Sequence, residues 1–263
     1  MHVICCTCAT QLTESSEPPV RCPICEDERQ YVGLDGQEWT TLEELRQDHR
    51  CDVRDDAGYL GVGIEPSFAI GQRLLLAETS AGNVLWDMIP LIDDKAIEAV
   101  QARGAVRAIA ISHPHYYSGM VEWSRALGGV PILLHEADRE WIMRPDPAIE
   151  LWSGDVKELW GGLTLLRLGG HYAGGTVLHD RERRTLLSGD IVQVIPDRSH
   201  VSFMWSYPNL IPLPAAEVLR IAAALEAVAF DRILGAWWDR VVASDGNEVV
   251  RRSAQRYAAA LAK

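Results

Sequence analysis

The chain has 263 residues, 48% hydrophobic and 24% charged, a composition typical of a folded protein with one large core or two smaller ones. Its formal net charge of -12 repels phosphate backbones and anionic lipid surfaces, so nucleic acid is not an expected partner. The chain has no apolar run of the roughly 18 residues that a membrane span needs. Its first residues also lack the features of a signal peptide, so we expect a cytoplasmic protein that does not bind membranes.

Five of the six cysteines lie near the start of the chain. Cys5 and Cys8 form one C-x-x-C pair, and Cys22 and Cys25 form a second pair after 13 intervening residues. Reduced thiols in this arrangement can close a tetrahedron around Zn²⁺. Cys6 is the alternative to Cys5 as the first ligand. The segment CPICEDERQYV, which contains the second pair, resembles the knuckle of a rubredoxin-like zinc ribbon.

Residues 1–50 are assigned to this zinc ribbon, with a short helix beginning at Thr41, and residues 51–263 to a second domain. The polar residues 47–56 are expected to form a linker. The ribbon carries four arginines against ten acidic side chains, which argues against nucleic-acid binding. We therefore expect it to be structural, or to dock a protein partner or a second copy of the chain.

Strands and helices alternate through the second domain. Hydrophobic patterns predict strands at residues 59–64, 72–78, 83–86, 106–111, 130–134, 163–168, 176–179, 185–187 and 232–236. They predict helices at residues 93–103, from about 120, at 215–227 and at 247–261. The first three strands have no helices between them, which favours two sheets covered by outer helices over one doubly wound sheet.

Side chains that can bind a metal follow several of these strands. They are Asp87 after GNVLW, His113 and His115 in ISHPHYYSGM, His171 in GGHYAGG, and Asp190 in LLSGD. Two histidines two residues apart on a loop can point both imidazoles at one ion, and a distant histidine and a carboxylate complete a set of four ligands.

In these motifs, residues 58–240 resemble the metallo-β-lactamase superfamily. The superfamily's H-x-H-x-D-H loop corresponds to HPHYYS, its glycine-flanked histidine to Gly170-His171, and its two strand-end aspartates to Asp87 and Asp190. The resemblance implies an α/β (α+β) fold, a four-layer αββα sandwich, preceded here by the small zinc ribbon. It also implies a metal-dependent hydrolase.

The chain departs from the superfamily pattern at three positions. Tyr117 and Ser118 replace the loop aspartate and the histidine after it, and Trp237 stands where a late histidine is expected. In the superfamily these three residues would bind the second metal, so the resemblance implies a single-metal site of His113, His115, His171 and Asp190.

The resemblance also suggests roles for individual residues. Zn²⁺ is the expected metal in both sites, with iron as the alternative in the active site. Asp190 is expected to bind the metal or to act as a base, and Tyr116 or Tyr117 to donate a hydrogen bond to a developing oxyanion. Asp87 is expected to brace the histidine loop from behind. The aromatic residues 203–207, with Trp237 and Trp238, are expected to wall the substrate pocket.

The favoured function is hydrolysis of a small ester, lactone, thioester or amide by water activated at one metal. One alternative is a mononuclear iron enzyme on the same fold that oxidises sulfur compounds such as persulfides. Another is a non-catalytic metal-binding protein that docks partners through its ribbon.

Overall fold

The computed structural model describes all 263 residues. The N-terminal segment contains two short strands and two short helices: β1 (Val3–Cys5), α1 (Pro23–Glu26), β2 (Trp39–Thr41) and α2 (Leu42–Asp48). β1 and β2 pair in an antiparallel ribbon. α2 begins with the predicted capping box, in which the Thr41 hydroxyl accepts from the Glu44 amide and the Glu44 carboxylate accepts from the Thr41 amide.

A seven-stranded sheet follows. Its strands and the helices between them are β3 (Arg50–Asp56), β4 (Tyr59–Glu65), β5 (Leu74–Ala77), β6 (Asn83–Trp86), α3 (Asp94–Gln101), β7 (Val106–Ala110), α4 (Met120–Ala126), β8 (Ile132–His135) and β9 (Ile149–Trp152). The strands lie in chain order, antiparallel from β3 to β6 and parallel from β6 to β9. Short 3₁₀ turns occupy Pro114–Tyr116 and Glu136–Trp141.

The remaining residues form a six-stranded sheet, two small two-stranded sheets and two long helices. The elements are β10 (Val156–Glu158), β11 (Leu163–Arg167), β12 (Thr176–Asp180), β13 (Thr185–Gly189), β14 (Gln193–Val194), β15 (Val201–Ser202), β16 (Met204–Ser206), β17 (Ile211–Pro212), α5 (Ala215–Leu225), β18 (Arg232–Gly235), β19 (Val241–Val242) and α6 (Gly246–Leu261). The large sheet has the order β10-β11-β12-β13-β18-β19, and its one parallel pair is β13 with β18.

Alternation along the strands places the two large sheets face to face. In β5, Leu75 and Ala77 belong to the cluster between the sheets, whereas Leu74 and Leu76 belong to the cluster beneath α3 and α4. A third cluster lies between the six-stranded sheet and helices α5 and α6. The predicted four-layer αββα sandwich is therefore confirmed. None of the helices is both long enough and apolar enough to cross a membrane.

The expected linker at residues 47–56 is wrong. Residues Arg50–Asp56 form β3, which pairs with β4 along its whole length from Arg50 opposite Glu65 to Asp56 opposite Tyr59. The charged side chains that suggested a linker are those of an edge strand, where charge discourages further strand pairing. Asp56 is buried and accepts from Nε of the buried Arg73 at 2.5 Å. The division of the chain into two domains at residue 50 stays a prediction.

Most of the other predicted elements are present, with ends shifted by one to three residues. β6 has the predicted bounds, while β5 is shorter than predicted at both ends. The sequence pattern missed β1, β2, β9, β10, β19 and the four strands of the two small sheets. These strands have two to four residues and, apart from β1, are partly exposed, whereas the four-residue strands that were predicted are mostly buried apolar runs.

Candidate active site

Three loops at strand ends bring the predicted metal-binding side chains together. His113 and His115 follow β7, His171 follows β11, and Asp190 follows β13. Gly189 has a φ of +54°, and a Cβ there would lie 2.7 Å from the Ser112 hydroxyl. Glycine at this position therefore allows the Asp190 loop to approach the histidine loop closely.

The four side chains converge on one point. One nitrogen from each of His113, His115 and His171 and one oxygen of Asp190 lie within 4.8 Å of one another, and all four residues are buried. Nε2 of His113 is 3.3 Å from Oδ1 of Asp190, and Nε2 of His171 is 3.2 Å from Nδ1 of His115. Such a cluster has the donor set and spacing of a four-ligand metal site.

The outward nitrogen of each imidazole has a separate hydrogen-bond partner. Nδ1 of His171 donates to the Trp205 carbonyl at 2.7 Å, which leaves Nε2 of the neutral ring free to bind a metal. Nε2 of His115 lies 3.0 Å from the Tyr172 hydroxyl, and Nδ1 of His113 lies 2.9 Å from the Ser112 hydroxyl. These contacts orient the three rings toward their common centre.

Burial has large electrostatic effects in this cluster. It holds the pKa of His113 and of His115 well below the ordinary value and lowers the pKa of His171 to about 4. The three imidazoles are therefore neutral at pH 7, and each can offer a nitrogen lone pair to a metal ion. Burial and the nearby Asp87 carboxylate raise the pKa of Asp190 to about 8. A cation would reverse this effect on Asp190 by stabilising its charged form.

Two of the converging atoms have no hydrogen-bond partner. They are Nε2 of His113 and Oδ1 of Asp190, both fully buried. Unpaired buried acceptors are costly, and a metal ion at the centre of the cluster would satisfy both at once. The residues present therefore fit a resident metal.

Asp87 lies behind the histidine loop, as its predicted bracing role requires. Its Oδ1 accepts from the Ser112 amide at 2.8 Å, and its own backbone has a φ of +58°. Burial raises the pKa of Asp87 to about 7. The carboxylate thus ties the end of β6 to the residue that precedes His113.

The two tyrosines of the histidine loop differ in their surroundings. The Tyr116 ring packs edge-on against His113 with centroids 4.4 Å apart, and its buried hydroxyl has no hydrogen-bond partner. Burial and then the carboxylates of Asp190 and Asp87 hold the pKa of Tyr116 well above its usual range. Burial, followed by Asp138 and Tyr172, holds the pKa of Tyr117 well above its usual range. Of the two tyrosines in this loop, Tyr116 is therefore the one that packs against a converging ligand.

A cavity of about 280 Å³ opens onto the cluster and is lined by His115, His171 and Asp190. Its other walls include Tyr207 and Trp237, as expected, and the N-terminal residues Thr7, Gln30 and Tyr31, which were not expected. Asp190 is the only lining residue with a carboxyl side chain, and no lysine or arginine lines the cavity.

The remaining aromatic residues lie elsewhere. Phe203 is in the core beside α5 and α6, and Trp238 packs on Gly61 and Gly63 of β4. Trp205 does not line the cavity either, although its carbonyl accepts from Nδ1 of His171. The expectation that Phe203, Trp205 and Trp238 line the pocket is therefore wrong.

The four predicted ribbon cysteines also cluster. The Sγ atoms of Cys5 and Cys25 are 3.5 Å apart, those of Cys8 and Cys22 are 3.6 Å apart, and all four lie within 4.8 Å of one another. These spacings are close to the edge of about 3.8 Å of a tetrahedron with zinc to sulfur bonds of ~2.3 Å. Cys6 lies outside the cluster, and burial raises the pKa of its thiol to about 11.

No protein-family model matches the chain. It is, however, 46% identical over 267 residues to "Uncharacterized protein YmaE" of Bacillus subtilis (strain 168), and the match covers 99% of this chain and 97% of that protein. The chain belongs to the YmaE family.

Solved structures identify the fold. The metallo-β-lactamase DIM-1 superposes with a TM-score of 0.59 at 12% identity, covering 79% of this chain and 98% of its own. The metallo-β-lactamase FIM-1 from Pseudomonas aeruginosa, solved in a mono-zinc form, gives a TM-score of 0.57 at 14% identity and covers 79% of this chain and 96% of its own. This member of the YmaE family therefore has the metallo-β-lactamase fold.

Tyr117, Ser118 and Trp237, the three positions at which the sequence departs from the superfamily pattern, lie in different surroundings. Trp237 lines the cavity, and its Nε1 donates to the Ile70 carbonyl at 2.9 Å. The Ser118 hydroxyl is buried without a partner, and Tyr117 packs in the cluster beneath α3 and α4. These three side chains do not form a second cluster of metal ligands like that of His113, His115, His171 and Asp190.

Sequence reasoning missed several groups that support the site. Tyr172 directly follows a predicted ligand in GGHYAGG, so its position could have drawn attention. The Trp205 carbonyl, 34 residues from His171, gives no side-chain signal at all. Arg29 lies against the site, where Nη1 donates to the His171 carbonyl, but its sequence neighbourhood indicates only a contribution to the charge of the ribbon.

Proposed function

We propose that this protein is a hydrolase that uses one metal ion and activated water on a small ester, lactone, thioester or amide. The observation that carries the proposal is the buried group of three imidazoles and one carboxylate at the end of a cavity. His113, His115, His171 and Asp190 would hold the ion. When bound, it would polarise a carbonyl group and lower the pKa of a water molecule.

Zinc is the preferred metal of the proposal. Neutral imidazoles and a carboxylate suit Zn²⁺, which needs no redox partner. The mono-zinc form of FIM-1 gives a precedent for a single zinc on this fold. Iron stays the alternative, and with it oxidation of a sulfur compound, because histidine and carboxylate ligands also bind iron in oxygenases.

Asp190, itself one of the four proposed ligands, and the neighbouring Tyr116 are assigned to proton transfer and charge stabilisation. Asp190 would bind the metal or accept a proton from water, since its carboxylate forms part of the cavity wall. Tyr116 is a candidate donor to the developing oxyanion, because its hydroxyl has no hydrogen-bond partner and its ring packs against His113. Sequence reasoning assigned the same role to Tyr117, whose neighbours are Asp138 and Tyr172.

The cavity favours a small substrate without a negative charge. No arginine or lysine lines it, so a phosphate or carboxylate group would find no counter-ion apart from the metal. Gln30, Gln193 and Thr7 supply neutral hydrogen-bonding groups on its walls. The proposed substrate is therefore a neutral acyl compound that fits a volume of about 280 Å³.

The proposal is tested with two variants and a matched control. His171→Ala should abolish binding of the active-site metal and turnover together, because it removes a ligand. Asp190→Asn should retain much of the metal but lose most of kcat. His200→Ala changes a histidine that is paired with Asp197 and lies outside both the ligand cluster and the cavity lining, so it should leave metal binding and turnover unchanged.

Esters, lactones, thioesters and amides are screened with the zinc form, and persulfides with the iron form under oxygen. Hydrolysis that depends on His171 supports the proposal. Oxygen uptake by the iron form with no hydrolysis by the zinc form contradicts it in favour of the dioxygenase. Inactivity of both forms would favour a non-catalytic metal-binding protein.

A further inference from the structure

A single arginine of the N-terminal segment reaches the active site. Arg29 follows α1, and its side chain is only 8% exposed. Nε and Nη2 of its guanidinium donate to the two carboxylate oxygens of Asp27 at 2.5 and 2.9 Å. This two-bond pairing fixes the plane of the guanidinium and neutralises its charge locally.

Three aromatic rings surround the guanidinium. Its central carbon lies 3.8 Å from the centroid of Tyr172, 4.7 Å from that of Trp205 and 4.9 Å from that of Trp141. A cation over an aromatic face is attracted to it, and the attraction is stronger when water is excluded. Arg29 therefore holds together rings from three separate segments of the chain.

Two of these three residues also orient metal-binding histidines. The Tyr172 hydroxyl contacts Nε2 of His115, and the Trp205 carbonyl accepts from Nδ1 of His171. Arg29 also contacts the His171 backbone directly, since its Nη1 donates to that carbonyl at 3.4 Å. One side chain thus touches the support of His115, the support of His171 and the backbone of His171.

Neighbours of Arg29 strengthen the same connection. The Trp205 indole donates to the Glu28 carboxylate at 2.9 Å, and the Ser206 hydroxyl donates to the Arg29 carbonyl at 3.1 Å. Nδ2 of the Asn209 side chain donates to the carbonyls of Glu28 and Gln30, at 2.9 Å each. Hydrogen bonds therefore join residues 28–30 to β16 and to the turn that follows it. These residues come directly after the cysteine pair Cys22 and Cys25.

We propose that Arg29 is a positioning residue that couples the four-cysteine module to the active-site metal by holding Tyr172 and Trp205 against His115 and His171. This inference rests on the proposed function in that it requires a metal at the histidine site. It adds that the affinity of that site depends on a side chain of the ribbon. The cysteine module then serves the site as a support as well as a wall of its cavity.

The experiment measures Co²⁺ binding to the purified full-length chain, without any substrate. Thiolate-to-cobalt charge-transfer absorption reports the cysteine site, and the histidine site is followed by its visible bands and by competition with a chelator. Arg29→Met should keep the thiolate absorption and weaken binding at the histidine site about 10- to 100-fold, the range seen when groups that orient metal ligands are removed. Arg29→Lys should recover part of the loss, because lysine keeps the charge but lacks the planar fork.

Two comparisons separate positioning from a general loss of structure. Arg21→Met removes an exposed arginine of the same module and should change neither site. Tyr172→Phe removes only the hydroxyl at His115 and should weaken the histidine site alone. If Arg29 acts through Tyr172, the effects of Arg29→Met and Tyr172→Phe should be less than additive in the double variant.

Affinity at the histidine site within twofold of wild type in Arg29→Met, with the thiolate absorption intact, would overturn the coupling. If Arg29→Met loses the ribbon metal, Arg29→Lys decides, and an affinity within twofold of wild type would again overturn it. A wild-type chain that binds only one Co²⁺, at the cysteines, would contradict the proposed function and this inference together. A wild-type chain that binds two ions, with equal affinity in the variants, would contradict this inference alone.

Discussion

The Tyr172 hydroxyl lies 3.0 Å from Nε2 of His115, and the residue before Tyr172 is His171, itself one of the converging side chains. Two adjacent residues therefore supply one candidate ligand and the support of another. A movement of the loop after β11 would displace both at once. This explains why the loop is held from several sides, by the Trp205 carbonyl, by Arg29 and by the packing of Gly170 against α5.

Cys22→Ser should remove one metal equivalent and increase protease cleavage within residues 1–48, because a module of this size has little apolar core of its own. Metal analysis and limited proteolysis measure the two effects. Cys6→Ser is the control and should change neither, since Cys6 lies outside the cluster. Full zinc content and unchanged protease resistance in Cys22→Ser would show that the cysteine assignment is wrong.

The histidine site should hold one metal ion, so the whole protein should contain two equivalents, one in each cluster. Tyr117, Ser118 and Trp237 offer no second set of ligands near the cavity. Anomalous scattering from crystals of the zinc form measures the number of ions. A pair of ions about 3.5 to 4 Å apart, as in two-metal hydrolases, would refute the single-metal assignment.

Tyr116→Phe should lower kcat about a hundredfold, the effect of removing an oxyanion donor, with little change in metal content. Tyr117→Phe is the matched comparison and should change kcat by less than threefold. Tyr117 is buried in the cluster beneath α3 and α4, and the groups that affect its pKa are Asp138 and Tyr172, not Asp190. Steady-state kinetics on the substrate found by screening decides between them. The opposite order of effects would assign the donor role to Tyr117.

Asp138→Asn should make the protein more stable at neutral pH. Burial raises the pKa of Asp138 to about 6, above the unfolded value of about 3.9, so the native state binds more protons between these values. The wild-type free energy of unfolding should therefore fall as pH rises through this window. Asparagine removes this pH dependence. Its side-chain oxygen can still accept from the Gly174 amide, which in the wild-type protein donates to Oδ1 of Asp138 at 2.7 Å.

The gain in Asp138→Asn should reach about 2 to 3 kcal/mol at pH 7.5 and fall to about half of that at pH 5. Denaturant unfolding of both proteins, with the same metal content, measures the difference at each pH. An equal difference at the two pH values would show that Asp138 does not titrate in this range.

The parts of the fold and site that could be predicted are those with local signals. The spacing of His113 and His115, the glycines before His171 and the strand before Asp190 each lie within a few residues. The three imidazole partners were not predictable in the same way. The support of His171 is a backbone carbonyl, and the cage around Arg29 joins residues 141, 172 and 205, which meet only in the folded chain.

β3 is a strand that its sequence pattern wrongly indicated to be a linker. Its residues RCDVRDD look like a solvated connection, yet all seven pair with β4. A polar composition indicates that a segment is exposed to solvent. Edge strands and loops are both exposed, so composition does not distinguish them. Residues 50–56 form a strand because β4 lies beside them and pairs with them. The pattern of residues within one segment does not show which other segment it will pair with.

The candidate ligands also come from both halves of the sandwich. His113 and His115 follow a strand of the seven-stranded sheet, whereas His171 and Asp190 follow strands of the six-stranded sheet. An ion at their centre would act as a clamp between the sheets, so its binding energy would add to the resistance of the two halves to separation. The cysteine cluster needs only the first 25 residues, while the histidine cluster needs the chain through Asp190. During synthesis from the N-terminus, the ribbon can take up its metal well before the clamp between the sheets can form.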